Sequence, residues 1–215
     1  MPNIARLWIA ALTATMATAA GPGFLLGVDY SQRIGFGAPY ANSNPMMATD
    51  GTGALYLLDL GDPRTLPASA VLGSPETPAS YVMKLSPDGI RMVYLTVLEF
   101  RASALAVDSS GSVYLSGSGV IAKLNATGTA LIYRMPMAEG LEVDGLAVDG
   151  SGRAYVTGRV STGNFKTTAN AFQQTAPSDH RSKGFVARVN TAGTGFEFAT
   201  YLAGNGWDVP MGIAV

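Results

Sequence analysis

The chain has 215 residues, enough for one domain of ordinary size or a piece of something larger, and is 47% hydrophobic but only 13% charged. That excludes a disordered chain, which needs low hydrophobicity and high net charge, while a formal charge of −1 leaves no broad basic face for nucleic acid. With no cysteine and one histidine, disulfide frameworks, thiolate metal sites and His-rich metal sites drop out, and 26 glycines with 12 prolines favour short strands and turns over long helices.

Met1 to Arg6 is a short start with one positive charge, followed from Leu7 to Ala20 by an uncharged run of fourteen mainly apolar and small residues. A helix of that length reaches about 21 Å, short of the roughly 30 Å hydrocarbon core of a membrane. Ala17-Thr18-Ala19 has the small-x-small pattern of a signal-peptidase site, and Gly21-Pro22-Gly23 breaks a helix just beyond. The segment 1–19 therefore reads as a secretory signal cleaved after Ala19, with a buried amphipathic helix as the plainer alternative. No later segment offers 18 apolar residues in a row, so the mature chain is expected to be secreted or extracytoplasmic, without a membrane span.

The remainder repeats itself. Met47 to Gly53, Leu105 to Gly111 and Leu146 to Gly152 share an apolar tripeptide, a turn residue pattern and spacing. In each, an aspartate (Asp50, Asp108, Asp149) is followed by a glycine three residues on (Gly53, Gly111, Gly152) and a tyrosine six residues on (Tyr56, Tyr114, Tyr155). A second pattern follows each first one and carries a basic residue: Lys84, Lys123 and Arg188. Five residues after it stands a glycine (Gly89, Gly128, Gly193) and ten after it an aromatic (Tyr94, Tyr133, Phe198). Gly212-Ile213-Ala214-Val215 reads as a fourth copy that stops before its aspartate.

Each half-unit has the logic of a hairpin: two β-rich runs around an Asp/Ser/Gly turn. Aspartate accepts bonds from backbone N–H groups just downstream, and glycine takes positive φ without a Cβ clash. Four short strands per unit with no helical period between them is the grammar of an all-β propeller blade. The first strand of each unit is expected to be innermost, buried on both sides and so almost wholly apolar. The units are assigned as 46–100, 101–140 and 141–211, with 212–215 opening a fourth. The unequal Asp-to-Asp spacing comes from one connection: a proline-bearing insertion in the first unit, Gly117-Ser118-Gly119 in the second, and Arg159 to Gly184 in the third. Insertions confined to one connection indicate a surface loop on a constant framework.

Gly145 to Gly152 with Ala154-Tyr155-Val156-Thr157-Gly158 resembles the bacterial β-propeller repeat family of secreted and cell-surface proteins. So do Asn164 to Thr168 with Ala171-Phe172-Gln173, Phe185 to Asn190, and Ala199 to Gly204. The third unit matches nearly throughout, whereas the second lacks the Phe-x-Thr-Thr and Ala-Phe-Gln segment and the first keeps only an echo of it. The resemblance implies a fold and an extracytoplasmic setting, and carries no catalytic residues across. Closed propellers use four to eight blades, so three and a stub imply an N-terminal fragment of a longer propeller, or a piece that closes by oligomerising. Open strand edges then offer a route to self-association. Gly23 to Met46 reads either as an N-terminal strand that completes the last blade or as a linker.

Candidate chemistry is sparse. Each Asp turn offers one carboxylate, which suits a structural hairpin turn better than a calcium loop. Lys84, Lys123 and Arg188 recur once per unit and read as framework residues with packed stems and solvated heads. His180, in Ser178-Asp179-His180-Arg181, reads as a solvated loop residue, with no G-x-S-x-G elbow in the chain to give it a nucleophile. Trp207, in Gly204-Asn205-Gly206-Trp207-Asp208, is expected to wedge between blades, and Glu139, Glu142 and Asp144 to form a solvated turn. No cofactor or nucleic-acid partner is indicated. The resulting expectation is a non-catalytic binding or structural scaffold whose loops take a protein or glycan. The alternatives are a propeller lyase or hydrolase with its active site in other blades, argued by fold analogy alone, and a truncated reading frame without independent function.

Overall fold

The computed structural model describes residues 45–117, 119–161, 165–177 and 182–215. The segment 1–19, expected to be a leader cleaved after Ala19, the stretch 20–44, Asn164, and the His180 cluster from Ser178 to Arg181 lie outside the described residues. Among those residues the architecture is all-β, without helices, as the turn-rich composition predicts.

Three sheets follow one another in the chain. The first contains β1 (Met46–Thr49), β2 (Leu55–Gly61), β3 (Ala70–Val71), β4 (Ala79–Leu85) and β5 (Met92–Val97), in the order β1-β2-β4-β5-β3. The second is a four-stranded meander of β6 (Ala104–Val107), β7 (Val113–Gly117), β8 (Val120–Leu124) and β9 (Leu131–Pro136). The third, also a meander, runs through β10 (Leu141–Val148), β11 (Ala154–Val160), β12 (Lys183–Val189) and β13 (Phe196–Leu202). All pairings are antiparallel except β3 with β5. The first sheet thus departs from four strands per unit, because the proline-bearing insertion between β2 and β4 adds a short parallel strand.

The sheets share a local irregularity at the recurring basic residue. The ladder slips by one residue between Lys84 and Leu85, between Lys123 and Leu124, and between Arg188 and Val189. The skipped partners are Val93, Ile132 and Glu197, all exposed. A bulge of this kind bends the outer hairpin and sharpens its twist, and its repetition gives the three sheets the same curvature.

Apolar faces pack sheet against sheet. Tyr56, Leu58, Val82 and Tyr94 of the first sheet meet Val113, Leu115, Ala122 and Leu124 of the second. Tyr114, Ile121 and Met135 on the opposite face of the second meet Val156, Ala187 and Val189 of the third. Leu115, Ile121 and Leu124 are fully buried, each stabilising by about 1.5–3 kcal/mol relative to exposure. The second sheet is therefore covered on both faces, which explains why its inner strands β7 and β8 are apolar almost throughout.

The first strands depart from expectation. Leu105, Val107, Leu146 and Val148 are only half-buried, and Met47 is 68% exposed. β1, β6 and β10 are the terminal strands of their sheets, so among the described residues each has one flank with no ladder partner. Trp207 is likewise 70% exposed rather than wedged between sheets. The chain around it is held by Lys183, whose Nζ donates to the carbonyls of Gly204 and Gly206, and the indole is left outside.

Candidate functional site

The recurring Asp, Tyr and basic residues converge in three dimensions. Each aspartate closes its own turn. Asp108 Oδ1 accepts from the Ser110 N–H at 2.9 Å, the Ser110 hydroxyl at 2.5 Å and the Ser112 N–H at 3.0 Å. Asp50 does the same with Thr52 and Ala54, and Asp149 with Ser151 and Arg153. Gly53, Gly111 and Gly152 sit in these turns at φ of 83°, 81° and 77°, the left-handed region where a side chain costs most.

The second carboxylate oxygen points inward. Asp50 Oδ2 accepts from the Tyr56 hydroxyl at 2.9 Å, Asp108 Oδ2 from Tyr114 at 3.1 Å, and Asp149 Oδ2 from Tyr155 at 3.2 Å. The basic residue of the next strand closes the group. Lys84 Nζ lies 3.6 Å from Asp50 and Lys123 Nζ 3.1 Å from Asp108, each above the neighbouring tyrosine ring. Lys123 also donates to the Tyr114 hydroxyl at 2.5 Å. Their heads are thus paired and largely covered, at 18% and 17% side-chain exposure, rather than solvated. In the third unit the roles divide: Arg153 stands 4.0 Å from Asp149, and Arg188 pairs with Glu197 at 3.0 Å beneath Tyr155.

These clusters also join adjacent sheets. The Tyr56 hydroxyl reaches the Gly111 carbonyl of the second sheet at 3.3 Å, and Tyr114 reaches the Gly152 carbonyl of the third at 2.8 Å. A second joint lies further out. A Cβ on Gly128 would come 2.6 Å from Cδ2 of Tyr94, and one on Gly193 closer still to the Tyr133 ring. The aromatic of one unit thus lies directly on the turn glycine of the next. Thr96, not singled out in the sequence, adds a bond from its hydroxyl to the Gly128 carbonyl at 2.5 Å.

The electrostatics fit a fixed polar joint. Partial burial pushes the Asp50 carboxyl up, but the bonds from Thr52, Tyr56 and Ala54 outweigh it and hold the group at about 2. Asp108 is lowered in the same way: burial opposes, while Ser110, Lys123 and Ser112 prevail. Burial, reinforced by the adjacent aspartate, pushes the Tyr56 and Tyr114 hydroxyls well above the ordinary tyrosine range. Neither group is near neutrality, where general acid–base catalysis works best.

Two further groupings differ from their expected form. Glu142 and Asp144 lie on β10 rather than in a turn, and both engage Arg159 of β11, with Asp144 at 3.5 Å. Burial raises the Asp144 carboxyl, partly offset by Arg159. Glu139 precedes this strand in an exposed turn. Phe165 packs against Phe185 and Tyr201 at centroid separations of 4.9 and 5.1 Å. The segment after it runs along β13: the Thr168 N–H donates to the Ala199 carbonyl, and the Gln173 side chain both accepts from and donates to the Ala203 backbone at 3.0 Å. Among the described residues no three His, Cys, Asp or Glu side chains gather as a metal site.

No family model and no curated protein matches the chain. Among the solved structures similar to the chain is that of a protein of unknown function from Bacteroides caccae, over 56% of this chain at 14% identity and a TM-score of 0.40; the chain spans 36% of that protein's length.

Proposed function

We propose that the protein is a secreted or cell-surface β-propeller repeat protein that serves as a non-catalytic binding and structural scaffold. Each sheet is one blade, and Gly212–Val215 stand where the first strand of a fourth begins. Supporting this, Gly212 lies beside Gly145, so close that a Cβ on Gly145 would come 3.0 Å from the Gly212 Cα. The single observation that carries the scaffold reading is how the recurring polar residues are used. Asp, Tyr and Lys of the first two units close a turn and join the next sheet, with the aspartates held below and the tyrosines above their ordinary ranges. Residues that repeat because the frame needs them leave the varied connections, 62–78 among them, to distinguish one such protein from another.

The test is a glycan array and a panel of polysaccharide lyase and hydrolase substrates, both probed with the purified chain. A saturable ligand without turnover is the expected result. Turnover that survives repurification would overturn the scaffold reading in favour of the enzyme.

A further inference from the structure

Two of the three sheets cover the outer edge of their last strand with a segment of their own chain, and do so in one way. In the first sheet the Ser69 N–H donates to the Leu95 carbonyl at 2.7 Å, and the Leu95 N–H returns a bond to the Ser69 hydroxyl at 3.2 Å. In the third the Thr168 N–H donates to the Ala199 carbonyl at 3.0 Å, and the Ala199 N–H returns a bond to the Thr168 hydroxyl at 3.1 Å. Leu95 and Ala199 occupy the same register, opposite Met83 and Ala187, and both are fully buried. Both covering segments run parallel to the strand they cover: Ala70 and Val71 pair with Thr96 and Val97, and Thr168 and Gln173 advance along Ala199 and Tyr201.

The second sheet has the same position, which no segment covers among the described residues. Arg134 on β9 stands opposite Ala122 in that register, so its N–H and C=O point away from β8 as those of Leu95 and Ala199 point from their inner partners. Its side chain is 45% exposed and drawn toward the first sheet by Glu99, 3.2 Å away. In the other sheets the cover arises from the connection between the second and third antiparallel strands. Here Ser118 and Gly119 alone join β7 to β8. Reaching the outside of β9 means crossing two strand spacings of about 4.8 Å and returning, beyond two residues at about 3.5 Å each.

We propose that the outer edge of β9 binds an extended, uncharged segment of a partner polypeptide, running parallel to β9, whose serine or threonine makes the two-bond clamp on the Arg134 backbone. This is strand addition to an exposed sheet edge, here with the geometry the protein uses twice on itself. Pro136 limits the added strand to the neighbourhood of Ile132 to Met135, comparable in length to β3. The Arg134–Glu99 pair leaves little net charge beside the clamp, which selects a neutral segment. The inference deepens the binding reading above and rests on it by supplying a partner class for a non-catalytic scaffold.

The probe is a fluorescein-labelled peptide of residues 66–73 (Leu-Pro-Ala-Ser-Ala-Val-Leu-Gly), titrated with the full chain and followed by anisotropy. Backbone hydrogen exchange is read with and without the peptide. The expected result is saturable binding, at least tenfold weaker for the Ser69→Pro peptide, which lacks the clamping N–H, and at least fivefold slower exchange at the Arg134 amide. Absence of binding, equal binding of the Ser69→Pro peptide, or slowing confined to Leu95 or Ala199 overturns the proposal. The two readings separate: a glycan ligand without peptide binding removes the edge proposal and leaves the scaffold, whereas turnover of a polysaccharide removes the scaffold whatever the peptide does.

Discussion

Replacing Tyr114 by phenylalanine tests the joint between sheets at its strongest point. The ring stays, so the fully buried apolar contact is preserved, and only the hydroxyl is lost. That oxygen contacts Asp108 Oδ2 at 3.1 Å, the Gly152 carbonyl at 2.8 Å and Lys123 Nζ at 2.5 Å. A neutral buried hydrogen bond contributes about 0.5–1.5 kcal/mol net and one to a charged group about 1.5–3 kcal/mol. The hydroxyl has one proton to share between Asp108 and Gly152, so the losses do not simply add, and about 2–3 kcal/mol is expected. At about 2–4 °C per kcal/mol for a protein of this size, the melting midpoint falls by roughly 4–12 °C. Tyr56→Phe loses the Asp50 bond and a longer 3.3 Å bond to Gly111, and should cost about 1–2 kcal/mol. Tyr155→Phe loses its Asp149 bond at a half-buried site and should shift the midpoint least. Denaturant unfolding of the three variants, with the slope checked for constancy, gives the order. If Tyr155→Phe costs as much as Tyr114→Phe, the bond across to the neighbouring sheet contributes nothing and the reasoning fails.

Three further outcomes follow from the same geometry. Gly128→Ala places a methyl 2.6 Å from the Tyr94 ring at a residue with φ of 73°, whereas Gly150→Ala meets nothing within 4 Å. The first should lower the unfolding midpoint by more than the about 1–2 kcal/mol of a left-handed side chain alone, and the second should leave it near wild type. Because Asp50, at about 2, and Asp108 both titrate below the ordinary 3.8 when folded, their stabilisation is present above 3.8 and is lost as pH falls below it, for Asp50 toward about 2. Acid unfolding followed by tyrosine fluorescence should begin in that window, and Asp108→Asn should flatten it. Gln173→Ala removes both side-chain bonds to Ala203, so the Ala203 amide should exchange faster while those of β11 and β12 keep their protection.

Much of the frame is legible in the chain because it is local. The apolar tripeptide, the Asp-x-x-Gly turn and the tyrosine six residues on lie within one hairpin, and period and turn chemistry suffice to place them. What the spacing does not disclose is whom the tyrosine addresses. Gly152 lies far along the chain from Tyr114, and only the stacking of sheets brings them together. The glycine five residues beyond each basic residue is visible as a pattern, yet its cause, a ring from the preceding unit, is non-local in the same way. The spacing predicts that Lys84 and Lys123 end in solvent, because a packed stem with a solvated head is the ordinary reading; the buried carboxylate that holds each one is identified only by the fold. Ser69 and Thr168 share only a hydroxyl followed by alanine, so their equivalence emerges only when both are seen along an outer strand.

The two tyrosine contacts between sheets face one way: the Tyr56 and Tyr114 hydroxyls are handed forward to a later turn. The array therefore has a polarity, like a row of tiles with a tongue on one side and a socket on the other. A single unit lifted out, or two exchanged, would still mate in sequence, but a unit turned about would meet tongue with tongue. Rearrangements that shuffle whole units while keeping their sense are thus the ones this architecture accommodates.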